Sequence, residues 1–327
     1  MKYIIETNKL TRRFNGLTAV DSVDLQIKEG ELFGLLGPNG AGKTTTLSML
    51  STILKPTSGT AEVNGFDVNR QQDEVRNSIG IVFQDPSLDD ELTAYENLDF
   101  HGMIYGMPAD KRKQRIKEVI ELVDLSEKIN MQVKKFSGGM KRRLEIARGL
   151  IHHPKVLFLD EPTLGLDPQT RRNIWDHITE MNKSEKVTVV LTTHYMEEAD
   201  SLCERVAVID HGKIIALDTP EKLKHSIGGD IISLEADPGL LPHLKKIKNI
   251  KKIKNMNGEM NISAEDAEHL IPVIFDVAQK NKLEIHSISL RHPTLEDVFL
   301  QLTGKSIREE KAGVLDRFRT RIRSRNR

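Results

Sequence analysis

Eight consecutive residues, Gly37-Pro38-Asn39-Gly40-Ala41-Gly42-Lys43-Thr44, have the spacing G-x-x-x-x-G-K-[ST]. A loop of this pattern wraps phosphate oxygens with backbone N–H groups at a helix N-terminus, where unpaired donors and the helix dipole favour an anion. In such a loop Lys43 reaches the β- and γ-phosphates of a nucleotide and the Thr44 hydroxyl ligates Mg²⁺. The flanking residues suit it. Leu32, Phe33, Leu35 and Leu36 read as a buried strand, and Thr45, Leu47, Met49 and Leu50 read as the helix that the loop opens.

A second group of candidates lies much further along. Val156-Leu157-Phe158-Leu159 runs into Asp160, Glu161 and Pro162. Four apolar residues without alternation suit a central parallel strand buried on both faces. The two acids then stand at its carboxyl end, where ligands of open α/β sheets bind. Asp160 is a candidate for holding Mg²⁺, directly or through water, and Glu161 for polarising an attacking water. Gln84 follows the strand-like run Ile79 to Phe83, and His194 ends the run Val187 to Thr193. Ser137, Gly138 and Gly139 open a helix through Leu144, Ile146, Ala147 and Leu150, with Ser137 placed to cap it. Singly, a Gln or His at a strand end is more often a surface residue, and a Ser-Gly-Gly merely a cap. Their order behind the phosphate loop gives them weight.

That order, over about residues 3–220, resembles the ATP-binding subunits of ABC transporters. The resemblance implies that Phe14, in Arg12-Arg13-Phe14-Asn15-Gly16, stacks on adenine, and that Gly37 to Thr45 enclose ATP. It makes Gln84 the Q-loop glutamine at the Mg²⁺ site, Ser137 to Met140 the signature sequence, Leu164-Gly165-Leu166-Asp167 the D-loop and His194 the switch histidine. Lys43, Gln84, Glu161 and His194 are then the catalytic group, with Ser137, Gly138, Gly139 and Asp167 completing the nucleotide site. The signature departs from the family pattern in Phe136 and in Met140, where glutamine is usual, but its phosphate-contacting Ser-Gly-Gly is intact. The family's sites are composite: one subunit's loop presents the γ-phosphate to the partner's signature helix. A head-to-tail homodimer with ATP and Mg²⁺ is therefore implied, joined to a separate transmembrane permease.

The elements needed to position these groups define the expected fold: an α/β P-loop nucleotide-binding domain of ABC type over residues 1–224. A helical subdomain is expected over about 88–150, with helices beginning near Leu92 and spanning Ala109 to Leu122. The resemblance puts a coupling surface of the permease near Leu88 to Glu91 and Tyr95, residues that could equally just pack the subdomain. The glycine-containing segment Lys224 to Asp230 reads as a linker. Residues 225–305 follow as a small α+β accessory domain. Its strands are expected at Ile231 to Glu235, near Met256, at Met260 to Ile262 and at Leu283 to Leu290. A helix through Ile274, Phe275, Val277 and Ala278 carries Pro272 at an early position. The string Arg291-His292-Pro293-Thr294-Leu295-Glu296-Asp297-Val298-Phe299-Leu300 resembles the C-terminal domain of the daunorubicin/doxorubicin-resistance branch, which is associated with export. Its Leu295, Val298, Phe299 and Leu302 are expected to form one apolar face.

Composition bounds the rest. The chain has 327 residues, enough for two domains, and 38% hydrophobic content. No apolar run approaches the ~20 residues needed to cross a bilayer. The start, Met1 to Glu6, turns polar at once, unlike a secretory leader. Cys203 is the only cysteine, so no internal disulfide can form. These features give an expected cytoplasmic protein, and the resemblance to ABC transporter subunits implies a peripheral place on the inner face of the cell membrane. Lys245, Lys246, Lys248, Lys251, Lys252 and Lys254 interleave with Leu244, Ile247, Ile250 and Ile253. A solvated face over an apolar stripe fits this spacing better than a nucleic-acid site, which would interleave aromatics. The formal charge is 0, with six arginines between Arg317 and Arg327. Residues 306–327 read as a disordered basic tail, with attraction to anionic headgroups as the alternative. Two functions from different classes compete: an ATPase subunit powering export of a drug-like, lipid or other hydrophobic compound, and a soluble ABC-type ATPase acting on nucleic acid or ribosomes. The single nucleotide domain and the lack of a long coiled-coil insertion favour the first, and no nucleic-acid partner is expected.

Overall fold

The computed structural model describes residues 2–226, 229–248, 250–256, 259–264 and 267–303. The basic tail expected over 306–327 lies outside the described residues. Two compact units meet between Asp218 and Thr219, a few residues before the expected 224/225 boundary. The expected linker start, Lys224, lies inside the short helix Pro220–His225 instead of beginning a loop.

The strands of the first unit are β1 (Tyr3–Phe14), β2 (Leu17–Lys28), β3 (Leu32–Leu36), β4 (Ser58–Val63), β5 (Phe66–Asp67), β6 (Ile79–Val82), β7 (Val156–Asp160), β8 (Thr188–Thr193), β9 (Arg205–Asp210) and β10 (Lys213–Asp218). Its helices are α1 (Lys43–Leu50), α2 (Gln72–Ser78), α3 (Ala94–Ile104), α4 (Ala109–Leu122), α5 (Gly138–Leu150), α6 (Pro168–Glu185) and α7 (Met196–Leu202). An antiparallel sheet runs β2-β1-β4-β5. Its first hairpin turns on Asn15 and Gly16, at φ 41° and 89°, the pair of positive angles a two-residue hairpin turn requires.

The second sheet runs β10-β9-β3-β8-β7-β6 and is parallel except where β10 joins β9. Every residue of β3, β7 and β8 is buried, as their unbroken apolar runs require in a sheet covered on both faces. Register matters more than composition here. Leu36 pairs with Thr193 and Asp160 with Thr192, so the ends of β3, β7 and β8 lie abreast. Everything following those three strands is thereby gathered along one edge.

The helical subdomain is α3, α4 and the start of α5. Thr93 caps α3 in a reciprocal box with Glu96: each side chain satisfies the other's backbone N–H. α4 spans the expected residues and buries Ile116, Val119 and Ile120 beside Arg115, whose guanidinium is tied to Glu185 at 2.7 Å.

The second unit contains α8 (Pro220–His225), β11 (Asp230–Ala236), α9 (Leu241–Leu244), β12 (Ile250–Met256), β13 (Glu259–Ala264), α10 (Ala267–Lys280), β14 (Ile285–Arg291) and α11 (Leu295–Thr303). Its antiparallel sheet runs β12-β13-β11-β14. Ile232, Leu234, Met260 and Ile262 meet Leu270, Ile274 and Ala278 of α10 in one core. The two weak strands expected near Met256 and Met260 are the antiparallel pair β12 and β13. Half of the lysine run, Lys251, Lys252 and Lys254, belongs to the edge strand β12, with Lys251 and Lys252 exposed and Ile250 and Ile253 turned inward. Charge on an edge strand blocks pairing with other chains. Pro272 lies inside α10, not early in it; the helix begins sooner because Ala267 and Leu270 extend its buried stripe.

The Arg291-to-Leu300 string has a clear physical role. The Arg291 guanidinium grips Asp297 with two bonds of 2.5 and 2.8 Å. Asp297 also accepts from Thr294 N at 2.9 Å, and Thr294 Oγ1 accepts from Asp297 N at 3.3 Å, closing the N-terminus of α11 as a capping box. Leu295, Val298 and Phe299 are buried, but Leu302 is 47% exposed. The expected apolar face therefore holds at Leu295, Val298 and Phe299 and fails at Leu302, in the last turn of α11.

Candidate nucleotide site

β3 delivers Gly37 to Thr44 to the sheet edge. Gly42 has φ 105°, and a Cβ there would lie 2.5 Å from the Ala19 carbonyl oxygen, so only glycine lets the loop pass the β1–β2 sheet. Gly40 also has positive φ, at 84°. Asn39, Gly40 and Thr44 are exposed while Gly37, Pro38, Ala41, Gly42 and Lys43 are buried; Thr45 is half-buried. The loop thus offers a polar rim on a rigid base.

Lys43 is 4% exposed. Its ammonium donates to the carbonyls of Gly37 and Pro38 at 2.9 and 3.0 Å and lies 3.3 Å from Glu161 Oε1. Burial pulls the Lys43 pKa down, and Glu161 opposes that. On Glu161 burial pushes upward, but His194 and Lys43 outweigh it and hold the carboxyl below its usual value. His194 Nδ1 stands 3.2 Å from Glu161 Oε2. Neither His194 nitrogen makes an aligned hydrogen bond with a described residue, so the ring is close to the carboxylate and still has bonding capacity to offer. Three candidates named from separate motifs are thus brought together around the Lys43–Glu161 ion pair.

The second cluster surrounds Asp160. Thr44 Oγ1 lies 3.1 Å and Thr192 Oγ1 2.5 Å from Asp160 Oδ1. Thr192 also accepts from Glu161 N, at 3.0 Å to its hydroxyl and 3.2 Å to its carbonyl. Those bonds support an unusual backbone: Glu161 has φ 45°. A non-glycine residue there stores about 1–3 kcal/mol, and such strain persists only where surrounding structure over-determines it. A carboxylate and a hydroxyl side by side are hard oxygen donors of the type Mg²⁺ takes.

The remaining candidates stand around this centre. Gln84 lies just beyond β6 and is exposed. Phe14 is 37% exposed at the hairpin tip, with the Arg12 guanidinium 4.5 Å from its ring centre. Ser137 caps α5, accepting from Met140 N at 3.3 Å, and Phe136 before it is buried. Gly138 and Gly139 face Leu166 and Thr170, where a Cβ on Gly139 would lie 2.5 Å from the Thr170 methyl. Asp167 caps α6 through the N–H groups of Gln169 and Thr170 at 3.1 and 3.0 Å. No hydrogen bond or ion pair among the described residues joins Ser137 to the phosphate loop. The structure therefore gathers Lys43, Thr44, Asp160, Glu161 and His194, and leaves Ser137 to Gly139 and Asp167 as a separate group.

Sequence reasoning missed Thr192 and Arg142. Thr192 is one of several β-branched residues in its strand, and only the pairing with Asp160 distinguishes it. Arg142 sits between Lys141 and Arg143 and looks like part of a solvated basic stretch, yet it is 7% exposed and bonded to the carbonyl of Asp160.

Comparison with known proteins agrees with this geometry. The family model for ABC transporters matches residues 20–164, and that for the C-terminal domain of DrrA1-3-like ATP-binding proteins matches residues 219–303. The linearmycin resistance ATP-binding protein of Bacillus subtilis is 36% identical over 312 residues, covering 94% of this chain and 100% of the relative. The daunorubicin/doxorubicin resistance ATP-binding protein of Streptomyces peucetius is 39% identical, covering 92% of each chain. The Nod factor export ATP-binding protein of Ralstonia nicotianae is 38% identical, covering 94% of this chain and 95% of the relative. Among solved structures, a dimeric ATP-binding cassette in a post-hydrolysis state with ADP and Pi superposes with a TM-score of 0.59 at 29% identity, over 66% of this chain and 98% of that one. An ABC transporter subunit from Clostridium perfringens gives 0.65 at 29% identity, over 76% and 100%. With its phosphate loop, paired acids and C-terminal unit all matched, the chain belongs to the ATP-hydrolysing subunits of ABC transporters that serve drug resistance and export.

Proposed function

We propose that ATP binding works here by exchanging the partner of Lys43. The observation that carries this reading is the buried Lys43–Glu161–His194 cluster beside Thr44 and Asp160. Without nucleotide, Glu161 neutralises Lys43. An arriving γ-phosphate offers Lys43 more negative charge, and Glu161 turns to the attacking water with His194 at its other oxygen. Glu161 is then the general base, contributing about 10²- to 10⁴-fold. Lys43 and His194 stabilise charge on the transferring phosphoryl group, and Gly37 to Thr45 supply the backbone donors. Thr44, Asp160 and Gln84 would hold Mg²⁺, which when bound neutralises the phosphate oxygens. Phe14 presents an exposed ring for the adenine.

The exposed Ser137 end of α5, apart from the loop of its own chain, suits a partner's nucleotide. The unit of function is then a head-to-tail homodimer in which each phosphate loop meets the other subunit's Ser137, Gly138 and Gly139, with Asp167 alongside. No helix among the described residues is long and apolar enough to cross a membrane, so a separate permease carries the substrate path and this subunit binds at its cytoplasmic face. Relatives named for linearmycin, daunorubicin and Nod factor support a hydrophobic, drug-like or lipid-like cargo. Residues 1–218 carry the nucleotide site, and the unit from Thr219 onward serves assembly.

Mixing two inactive variants tests the shared site. Ser137→Arg blocks the signature end, and Lys43→Ala removes the phosphate-facing charge. Co-assembly places both lesions in one composite site and leaves the other intact, so ATPase activity should rise in the mixture. Activity no greater than that of either variant alone contradicts the arrangement.

A further inference from the structure

α5 turns three polar residues toward the segment that carries Gln84. Arg142 is 7% and Glu145 1% exposed. Arg142 Nη1 donates to Phe83 O at 2.5 Å and to Glu145 Oε2 at 3.1 Å. Glu145 Oε1 accepts from Ser87 N at 2.8 Å, Arg148 Nη1 donates to Ser87 O at 2.6 Å, and Arg148 Nη2 bonds Ser87 Oγ. Both ends of the segment 83–87 are thus fastened to the helix that begins at Ser137. The same guanidinium reaches the other way. Arg142 Nη2 donates to Asp160 O at 2.9 Å and Nε to Pro162 O at 2.7 Å, the residues on either side of Glu161.

Burying a guanidinium is costly unless its donors are all used, and an aliphatic side chain would pack this position more cheaply. Two of the four bonds share a target. Glu161 sits at φ 45°, a conformation its surroundings must enforce. Thr192 holds its N–H, and Arg142 holds the carbonyls before and after it.

We propose that Arg142 is a positioning residue for hydrolysis, fixing the strained backbone of Glu161 and locking it in register with the Gln84 segment and the signature helix. A shift of the Gln84 segment is then transmitted through one guanidinium to both the base and the Ser137 end. The proposal rests on the reading of Glu161 as the base.

The test is steady-state ATPase kinetics and ATP-binding stoichiometry of the full chain carrying Arg142→Gln, Arg142→Lys, Glu161→Gln, or Arg142→Gln with Glu161→Gln. Arg142→Gln should lower kcat about ten- to a hundredfold, the usual consequence of a base displaced by up to an ångström, with KM within threefold and one ATP bound per chain. Arg142→Lys keeps the charge but not the fork, and should recover only part of the loss. Because Arg142 acts through Glu161, adding Arg142→Gln to Glu161→Gln should lower the residual turnover by less than threefold. A kcat within twofold of wild type in Arg142→Gln overturns the proposal, as does a loss of kcat matched by an equal loss of ATP-binding sites, which marks a merely structural role. If Arg142→Gln does not fold, Arg142→Lys is read by the same two criteria. Normal turnover in Glu161→Gln alone defeats the reading of Glu161, and Arg142's own kcat separates the two failures.

Discussion

Replacing Glu161 by Gln should separate chemistry from binding in a way that the structure quantifies. The amide keeps the side-chain shape and loses the base, so turnover should fall about 10²- to 10⁴-fold. The same change removes the charge 3.3 Å from the Lys43 ammonium. At an effective dielectric of 20 the gross attraction over that distance is about 5 kcal/mol. Most of it offsets the cost of burying both ions, and Lys43 keeps its bonds to Gly37 and Pro38. A net loss of about 2 kcal/mol in the nucleotide-free protein follows, lowering Tm by about 4–8 °C. ATP no longer competes with Glu161 for Lys43, so its affinity should rise about tenfold, a gain of about 1.4 kcal/mol. Differential scanning fluorimetry with and without MgATP, equilibrium ATP binding and phosphate release measure the three quantities on one preparation. Less stable alone, tighter with ATP and nearly inactive is the expected pattern. Turnover within threefold of wild type, or weaker ATP binding with unchanged Tm, refutes the exchange of partners.

Two other perturbations probe the rest of the chain. Burial, with the Arg148 and His152 charges, brings His101 to a pKa of about 4, and burial with the His153 and Arg115 charges does the same for His152. Both lie below the unfolded value, so the unfolded chain takes up protons first as pH falls. Stability should therefore be fully present above about 6.5 and be lost toward pH 4, by up to about 2–3 kcal/mol per histidine. Urea unfolding at a series of pH values measures the slope, which His101→Gln/His152→Gln should flatten; an equally steep slope in that variant assigns the loss to other groups. In the second unit, Asp297→Ala removes both the Arg291 clamp and the α11 cap, and should destabilise that unit by about 1–2 kcal/mol given its partial exposure. ATP affinity should stay within twofold of wild type; a large fall, measured by equilibrium binding, would place the C-terminal unit in the nucleotide site.

The candidate nucleotide-site groups could be singled out along the chain because their signals are local. A glycine-rich turn before a helix, two acids after an unbroken apolar run, and Ser137 at a helix start each depend on a few neighbouring residues. Backbone geometry and capping act over that same range. The fold class followed, since buried strands alternating with amphipathic helices leave few arrangements. What joined those parts was invisible along the chain. Lys43 meets Glu161 and His194 because β3, β8 and β7 are adjacent in the sheet with Leu36 level with Thr193, and strand order and register are long-range outcomes of packing. Thr192 and Arg142 show the same limit. Their residue types match their neighbours, and only the folded sheet reveals one holding Asp160 and the other the two carbonyls on either side of Glu161. The end of α11 shows the converse: Leu302 has the right spacing for a buried face, yet it is 47% exposed. Spacing selects which residues can share a face, whereas burial is decided by what lies opposite.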